Sequence, residues 1–218
     1  MVRVLVCGEG PHDIGVFRGE ETAEEGWLQT LLRNLLGDAI EIVAIRRNRL
    51  VLQRRQQAAF RPLPPGHGKK ALACKLRAVG GKYDLVVFMT DADSNDRRRW
   101  EQVRAEILDG LGYVNGVRGA PCVPMSTSES WFLGDEQAWD RLGLEDLNVL
   151  PRRPESIWGN RRDRNSNHPR QVFRRVCDEA DVEDSRETRV KLARALRSEA
   201  MNISCPISFT AFVDDLNA

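Results

Sequence analysis

The strongest constraint on this chain is its alternation of short β-branched runs with amphipathic helical stretches. "VRVLVC" (2–7), "AIEIVAI" (39–45) and "YDLVVFMT" (83–90) are nearly continuous apolar runs, as strands buried on both faces are. Between the first two lies "EEGWLQTLLRNLLG". There Trp27, Leu28, Leu31, Leu32, Leu35 and Leu36 share one helical face, and Gly37 is a stop. "RPLPPGHG" (61–68) is a Pro/Gly loop, and "KKALACKLRAVGG" after it reads as a short helix. "RRRWEQVRAEILDGLG" puts Trp100, Val103, Ile107, Leu108 and Leu111 on one side. "PCVPM" (121–125) is expected as a short fourth strand. "SESWFLGDEQAWDRLG" is expected to begin a helix capped by Ser126 or Ser128. Such alternation predicts an α/β domain with a central, mainly parallel sheet flanked by helices.

The pattern changes near residue 150. "LPRRPESIWGNRRDRNSNHPR" reads as a loop, followed by two helices near 169–181 and 185–200. The expected division is an α/β domain over 1–145 and a C-terminal basic loop and helical extension over 146–218, packed on it. No internal repeat or low-complexity tract interrupts it.

Composition narrows the class. The chain is 41% hydrophobic and 30% charged, which supports a packed core rather than disorder. Cys7, Cys74, Cys122, Cys177 and Cys205 are scattered without zinc-ligand spacing, as reduced thiols would be. The first apolar run reaches Glu9 at once, unlike a signal peptide. No stretch approaches the roughly 20 apolar residues of a membrane helix. The expectation is a cytoplasmic protein with no membrane partner.

The strand ends carry the chemistry. In parallel α/β sheets, ligands bind beyond the carboxyl ends of the strands. Glu9 follows the first strand within "CGEGPHD", with Asp13 four residues on. Asp91 and Asp93 follow the third, and Glu129 the fourth. In an extended segment, residues i and i+2 point the same way, so Asp91 and Asp93 are expected to converge. Two crowded carboxylates repel, and a divalent cation removes that cost; hard oxygen ligands suit Mg²⁺ or Mn²⁺. Glu9 is placed to be a third ligand or a general base, and Gly8 and Gly10 would let the backbone approach a phosphate. Taken as a turn, a helix cap or a solvated face, the same acids would be structural. "DADSND" also opens like a calcium loop, but Asp96 replaces the glycine at position six and Gln102 the glutamate at position twelve, so that reading is rejected.

"VLVCGEGPHD" followed by "DLVVFMTDADSND" resembles the Toprim domain, whose marks are a strand-end Glu in a glycine turn and a later strand-end DxD. Toprim domains occur in topoisomerases, primases and OLD-type nucleases. "VPMSTSESWFLGD" and the tail "CPISFTAFVDDL" are similar to segments of the Toprim-like DUF4276 family, which extends the resemblance over nearly the whole chain. It implies a Toprim-like Rossmannoid fold, Glu9, Asp91 and Asp93 as catalytic acids, and Glu9, Asp13, Asp91, Asp93 and Glu129 as metal ligands. It further implies Mg²⁺-dependent phosphodiester hydrolysis, in the context of phage defence. The stretch "GVFRGEETAEEG", from Gly15 on, departs from the pattern and bears on access to the site.

Charge distribution points to the substrate. Arginines number 28 against 5 lysines, a ratio that a GC-rich genome explains. Residues 46–61 hold six arginines and no acid. Residues 151–175 hold eight, among them Arg152, Arg153, Arg161, Arg162 and Arg164, with Trp158 between them. Guanidinium groups bind phosphate and an aromatic ring stacks on an unpaired base, so DNA or RNA is the expected partner. A solvated basic face is the competing reading. His12 and His67 are placed in loops near the site, Trp131 and Trp139 in the core. No GxxxxGK[ST] occurs, so any ATPase would be a separate partner protein. A homo-oligomer stays open. A non-catalytic metal- or nucleic-acid-binding module is the alternative function. A DxD sugar transferase or a phosphatase ranks below both, since the haloacid phosphatase position after strand one holds Glu9.

Overall fold

The computed structural model describes residues 1–18 and 21–218. Its centre is a four-stranded, wholly parallel sheet in the order β4-β1-β5-β6. The strands are β1 (Val2–Gly8), β4 (Ile40–Arg46), β5 (Leu85–Met89) and β6 (Arg118–Cys122). They alternate their side chains between two helical layers. Val4, Val6, Leu85, Val87, Met89, Ala120 and Cys122 face one layer, and Leu5, Cys7, Val86 and Phe88 the other. This is the central parallel sheet expected from the sequence, and it explains why its strands read as unbroken apolar runs.

The second layer is the simpler. Helices α4 (Gly68–Gly80) and α5 (Arg97–Gly112) pack on each other and bury Leu72, Cys74, Trp100, Val103 and Ile107 against the sheet. The short α3 (Arg54–Ala59) lies within the arginine-rich stretch 46–61. All five cysteines are buried and unpaired.

The first layer combines both halves of the chain. It begins with α1 (Pro11–Ile14) and α2 (Trp27–Leu36) and continues through α6 (Glu129–Phe132) and α7 (Glu136–Asp140). The C-terminal helices α8 (Pro169–Glu179), α9 (Arg186–Ala195), α10 (Ser198–Ser204) and α11 (Ser208–Asn217) complete it. Trp131 is the hub: its ring meets Trp27 at 6.2 Å, Phe209 at 5.2 Å and Phe212 at 5.6 Å. Its indole N–H donates to Ser208 Oγ (2.7 Å), and Trp139 donates to the Phe132 carbonyl (2.7 Å). Both tryptophans are core residues, as expected from the sequence. The 146–218 segment shares one core with the sheet, because Phe173, Leu192, Phe209 and Phe212 cluster with Val4 and Val87.

Three expectations need correcting. The fourth strand, Arg118–Cys122, starts earlier than expected and overlaps "PCVPM" only at Pro121 and Cys122; Pro121 is tolerated there because β6 is an edge strand. The single helix expected after Ser126 is two, α6 and α7. Between them, buried Asp135 accepts from Gln137 N–H (3.0 Å) to cap α7 and binds the Arg197 guanidinium. The helix expected over 185–200 breaks at Leu196, and two further helices follow. The stretch from Gly15 on holds an antiparallel hairpin of β2 (Val16–Arg18) and β3 (Glu21–Glu24); its Gly19 and Glu20 lie outside the described residues.

Candidate functional site

The chain crosses from β1 to β4 on one side, then returns past β1 to β5 on the other. The crevice between the ends of β1 and β5 is therefore the topological switch point, where sheets of this kind hold ligands. A cleft of about 430 Å³ opens there. Glu9, Asp13, Asp91, Asp93 and Glu129 all line it, joined by Asp184. The five acids singled out in the sequence thus meet at one place.

They do not arrive there as expected. Strand β5 ends at Met89, so Asp91 and Asp93 are not alternate residues of an extended strand. They sit in a loop zipped to the segment after β6: Ala92 N–H donates to the Pro124 carbonyl (3.1 Å) and Asp93 N–H to that of Ser126 (2.9 Å). Asp93 adopts φ 49°, a left-handed conformation that Asp tolerates better than most residues, and this turn brings its side chain to the cleft.

The acids differ in how far they are committed. Asp91 Oδ1 accepts one bond, from Ser128 N–H (2.9 Å). Burial, then the Glu129, Asp13, Asp93 and Glu9 carboxylates around it, push Asp91 well above the usual carboxylate range. Asp93 is exposed. Glu9, also exposed, pairs with the Arg47 guanidinium (2.6 Å) and accepts from the Thr90 hydroxyl (3.2 Å), while Arg47 also donates to Thr90 Oγ1 (2.7 Å). This knot ties the ends of β4, β1 and β5 together.

Asp13 and Glu129 are spoken for by the fold. Asp13 Oδ2 accepts from Gly10 N–H (3.0 Å), closing the turn into α1, and Oδ1 accepts from the Trp27 indole (3.0 Å). Glu129 is 7% exposed and meets the Arg189 guanidinium at 3.0 Å. Burial would raise the Glu129 carboxyl, but the Arg189 charge and its hydrogen bond hold it below its ordinary value. Arg189 also grips Asp184 (2.8 Å) and lies over the Phe173 ring at 4.9 Å. Gly8 serves packing, since a Cβ there would come within 2.6 Å of Ile14 Cγ2; Gly10 lines the cleft. Ser128, expected as a cap, gives α6 no side-chain cap; its backbone N–H serves Asp91 instead.

Arg161, Arg170, Arg174 and Arg189 line the same cleft, as does His12. Of the five arginines expected to bind nucleic acid, the structure brings Arg161 into the cleft. Arg152, Arg153, Arg162 and Arg164 are exposed outside its lining, and Arg164 pairs with Asp178 at 3.3 Å. His67 lies at the start of α4, off the cleft, with its imidazole lowered by burial and then by the Arg47 charge. Sequence reasoning missed Arg189, Asp184, Arg47 and Thr90 as site residues. Arg189 bonds an acid 60 positions away, so no local spacing announces it.

Among the described residues, no group of three His, Cys, Asp or Glu side chains is close enough to cage a metal ion by itself. The donor chemistry nevertheless fits Mg²⁺, which usually takes one or two carboxylates and completes its shell with waters and substrate oxygens. Crowded Asp91, with one oxygen uncommitted, would supply such a ligand, and exposed Asp93 a second. Among the described residues, no helix is long and apolar enough to cross a membrane. Comparison with family models, with curated proteins and with solved structures found no match for this chain.

Proposed function

We propose that the cleft is the active site of a Toprim-type, Mg²⁺-dependent phosphodiesterase acting on nucleic acid. One observation carries this reading: acids from the ends of adjacent strands β1 and β5 line one open cleft together with four arginines. Asp91 and Asp93 would hold the ion, with Glu9 at its edge. When bound, Mg²⁺ supplies neutralisation and orientation of the phosphate. The arginines hold the anionic backbone against the acids. Glu9, steered by Arg47 and Thr90, takes the proton from an attacking water. The water oxygen bonds to phosphorus, the ester P–O bond breaks, and the leaving oxygen takes a proton from solvent or from His12. Asp13 and Glu129 position: Asp13 shapes the turn that carries Glu9, and Glu129 anchors the loop that bonds Asp91.

The reading is tested by incubating the protein with plasmid, single-stranded DNA, transfer RNA and labelled nucleotides in Mg²⁺, Mn²⁺ or EDTA. Cleavage that needs the metal and disappears in Asp91→Asn/Asp93→Asn supports it. Equal cleavage by that variant removes it. Unchanged substrates throughout favour a non-catalytic binding module or an enzyme that needs an ATPase partner.

A further inference from the structure

The arginines of the cleft are not equivalent. Arg189 is held by Glu129 and Asp184, and Arg174 pairs with Asp184 at 3.4 Å. Arg161 and Arg170 line the same cleft, yet among the described residues neither forms a salt bridge, and the Arg170 Nε is buried without a hydrogen-bond partner. Two guanidinium groups without counter-ions in one cleft form a seat for an anion.

One aromatic ring stands beside that seat. Four of the five tryptophans are buried, whereas Trp158 is 39% exposed. Its ring rests on His168 at 4.9 Å. His168 Nδ1 accepts from Arg170 N–H (3.2 Å) and lies within electrostatic reach of Glu129, Arg161 and Asp93. On the other side, the preceding carbonyl, that of Ile157, accepts from Ser126 Oγ (3.1 Å), and the Ser126 carbonyl accepts from Asp93 N–H (2.9 Å). Trp158 lies outside the lining of the cleft itself, but its contact with His168 and the bond of Ile157 to Ser126 tie it to the segments that carry Arg170 and Asp93. A space of about 430 Å³ admits a nucleotide-sized group; a paired duplex keeps its bases stacked inside and offers none to a ring.

We propose that the cleft selects single-stranded nucleic acid, with one unpaired base stacked on Trp158 and the adjoining phosphate on Arg161 and Arg170. The choice of ligand rests on the phosphodiesterase reading, but the claim concerns binding and needs no catalysis. The test is fluorescence anisotropy of labelled oligothymidylate and of an equal-length blunt duplex, with the full chain in EDTA. The single strand is expected to bind at least about tenfold more tightly than the duplex, and Trp158→Ala to weaken it about 5- to 150-fold. Trp158→Phe, which keeps a stacking face, should restore most of the affinity. Arg161→Gln/Arg170→Gln should lower the slope of log K against log salt by about 0.7, the value for one lost phosphate contact on a single strand. Equal affinity for duplex, no binding to either, or unchanged binding by a folded Trp158→Ala overturns the proposal. If these binding results hold while Mg²⁺ produces no cleavage, the selection stands and only the catalytic reading falls.

Discussion

At the residue scale, carboxylates in one cleft divide by what surrounds them. Glu129 is buried against Arg189, which also holds Asp184. Removing one partner of a buried pair strands the other charge and costs about 3–5 kcal/mol. Arg189→Gln should therefore lower stability by about that amount in urea unfolding. The pH dependence follows from sign. Glu129, Asp135 and Asp184 all lie below their ordinary values, each overcoming its burial through an arginine and hydrogen bonds. Their stabilisation is complete above the unfolded values, near about pH 4.3. It is lost as pH falls through the lowered folded values, so the midpoint of thermal unfolding should drop below pH 4. Asp91 behaves oppositely. Burial and four carboxylate neighbours raise it, so ionising it in the folded chain costs stability. Asp91→Asn should raise the unfolding temperature while abolishing metal-dependent activity. A lower unfolding temperature would mark Asp91 as structural.

At the element scale, the site depends on tight turns. The corner from β1 into α1 closes because Gly8 leaves room for Ile14. Gly8→Ala would set a Cβ 2.6 Å from Ile14 Cγ2 and 3.2 Å from Asp13 Cβ. Such overpacking costs about 1–3 kcal/mol. Activity should fall with stability, because α1 and Glu9 move together; urea unfolding beside a cleavage assay checks both. These corners also mark what was legible in the sequence. Strands buried on both faces carry unbroken apolar runs, so β1, β4 and β5 were readable, and their ends located Glu9 and Asp91. Strand β6, "RGAPC", has no such run, and its place is set by pairing with β5. The break between α6 and α7 follows from Arg197 binding Asp135, a tertiary contact across 62 positions. The approach of Asp93 to the cleft depends on a left-handed turn and a bond to Ser126, which alternation along a strand does not describe.

At the scale of the whole molecule, one hydrophobic core joins the sheet to the C-terminal helices. The composition line drawn near residue 150 reflects a loop, and the packing runs across it. Phe209 and Phe212 cover Trp131, and α9 lies on α2. A fragment ending at residue 145 would bare this layer and lose Arg189 from the cleft. It should show no cooperative unfolding transition, whereas the full chain should unfold in one step by circular dichroism. The charge balance has the same character. A net charge of +1 conceals a cleft where six acids and four arginines meet, which only the fold brings together. The central claim is that the acids of the cleft hold a divalent cation. Its most direct test is a Mn²⁺ titration followed by electron paramagnetic resonance, comparing the native chain with Asp91→Asn/Asp93→Asn. Saturable binding by the native chain that is lost in the variant, and displaced by Mg²⁺, is the expected result. Equal binding by both proteins, or none by either, would contradict it.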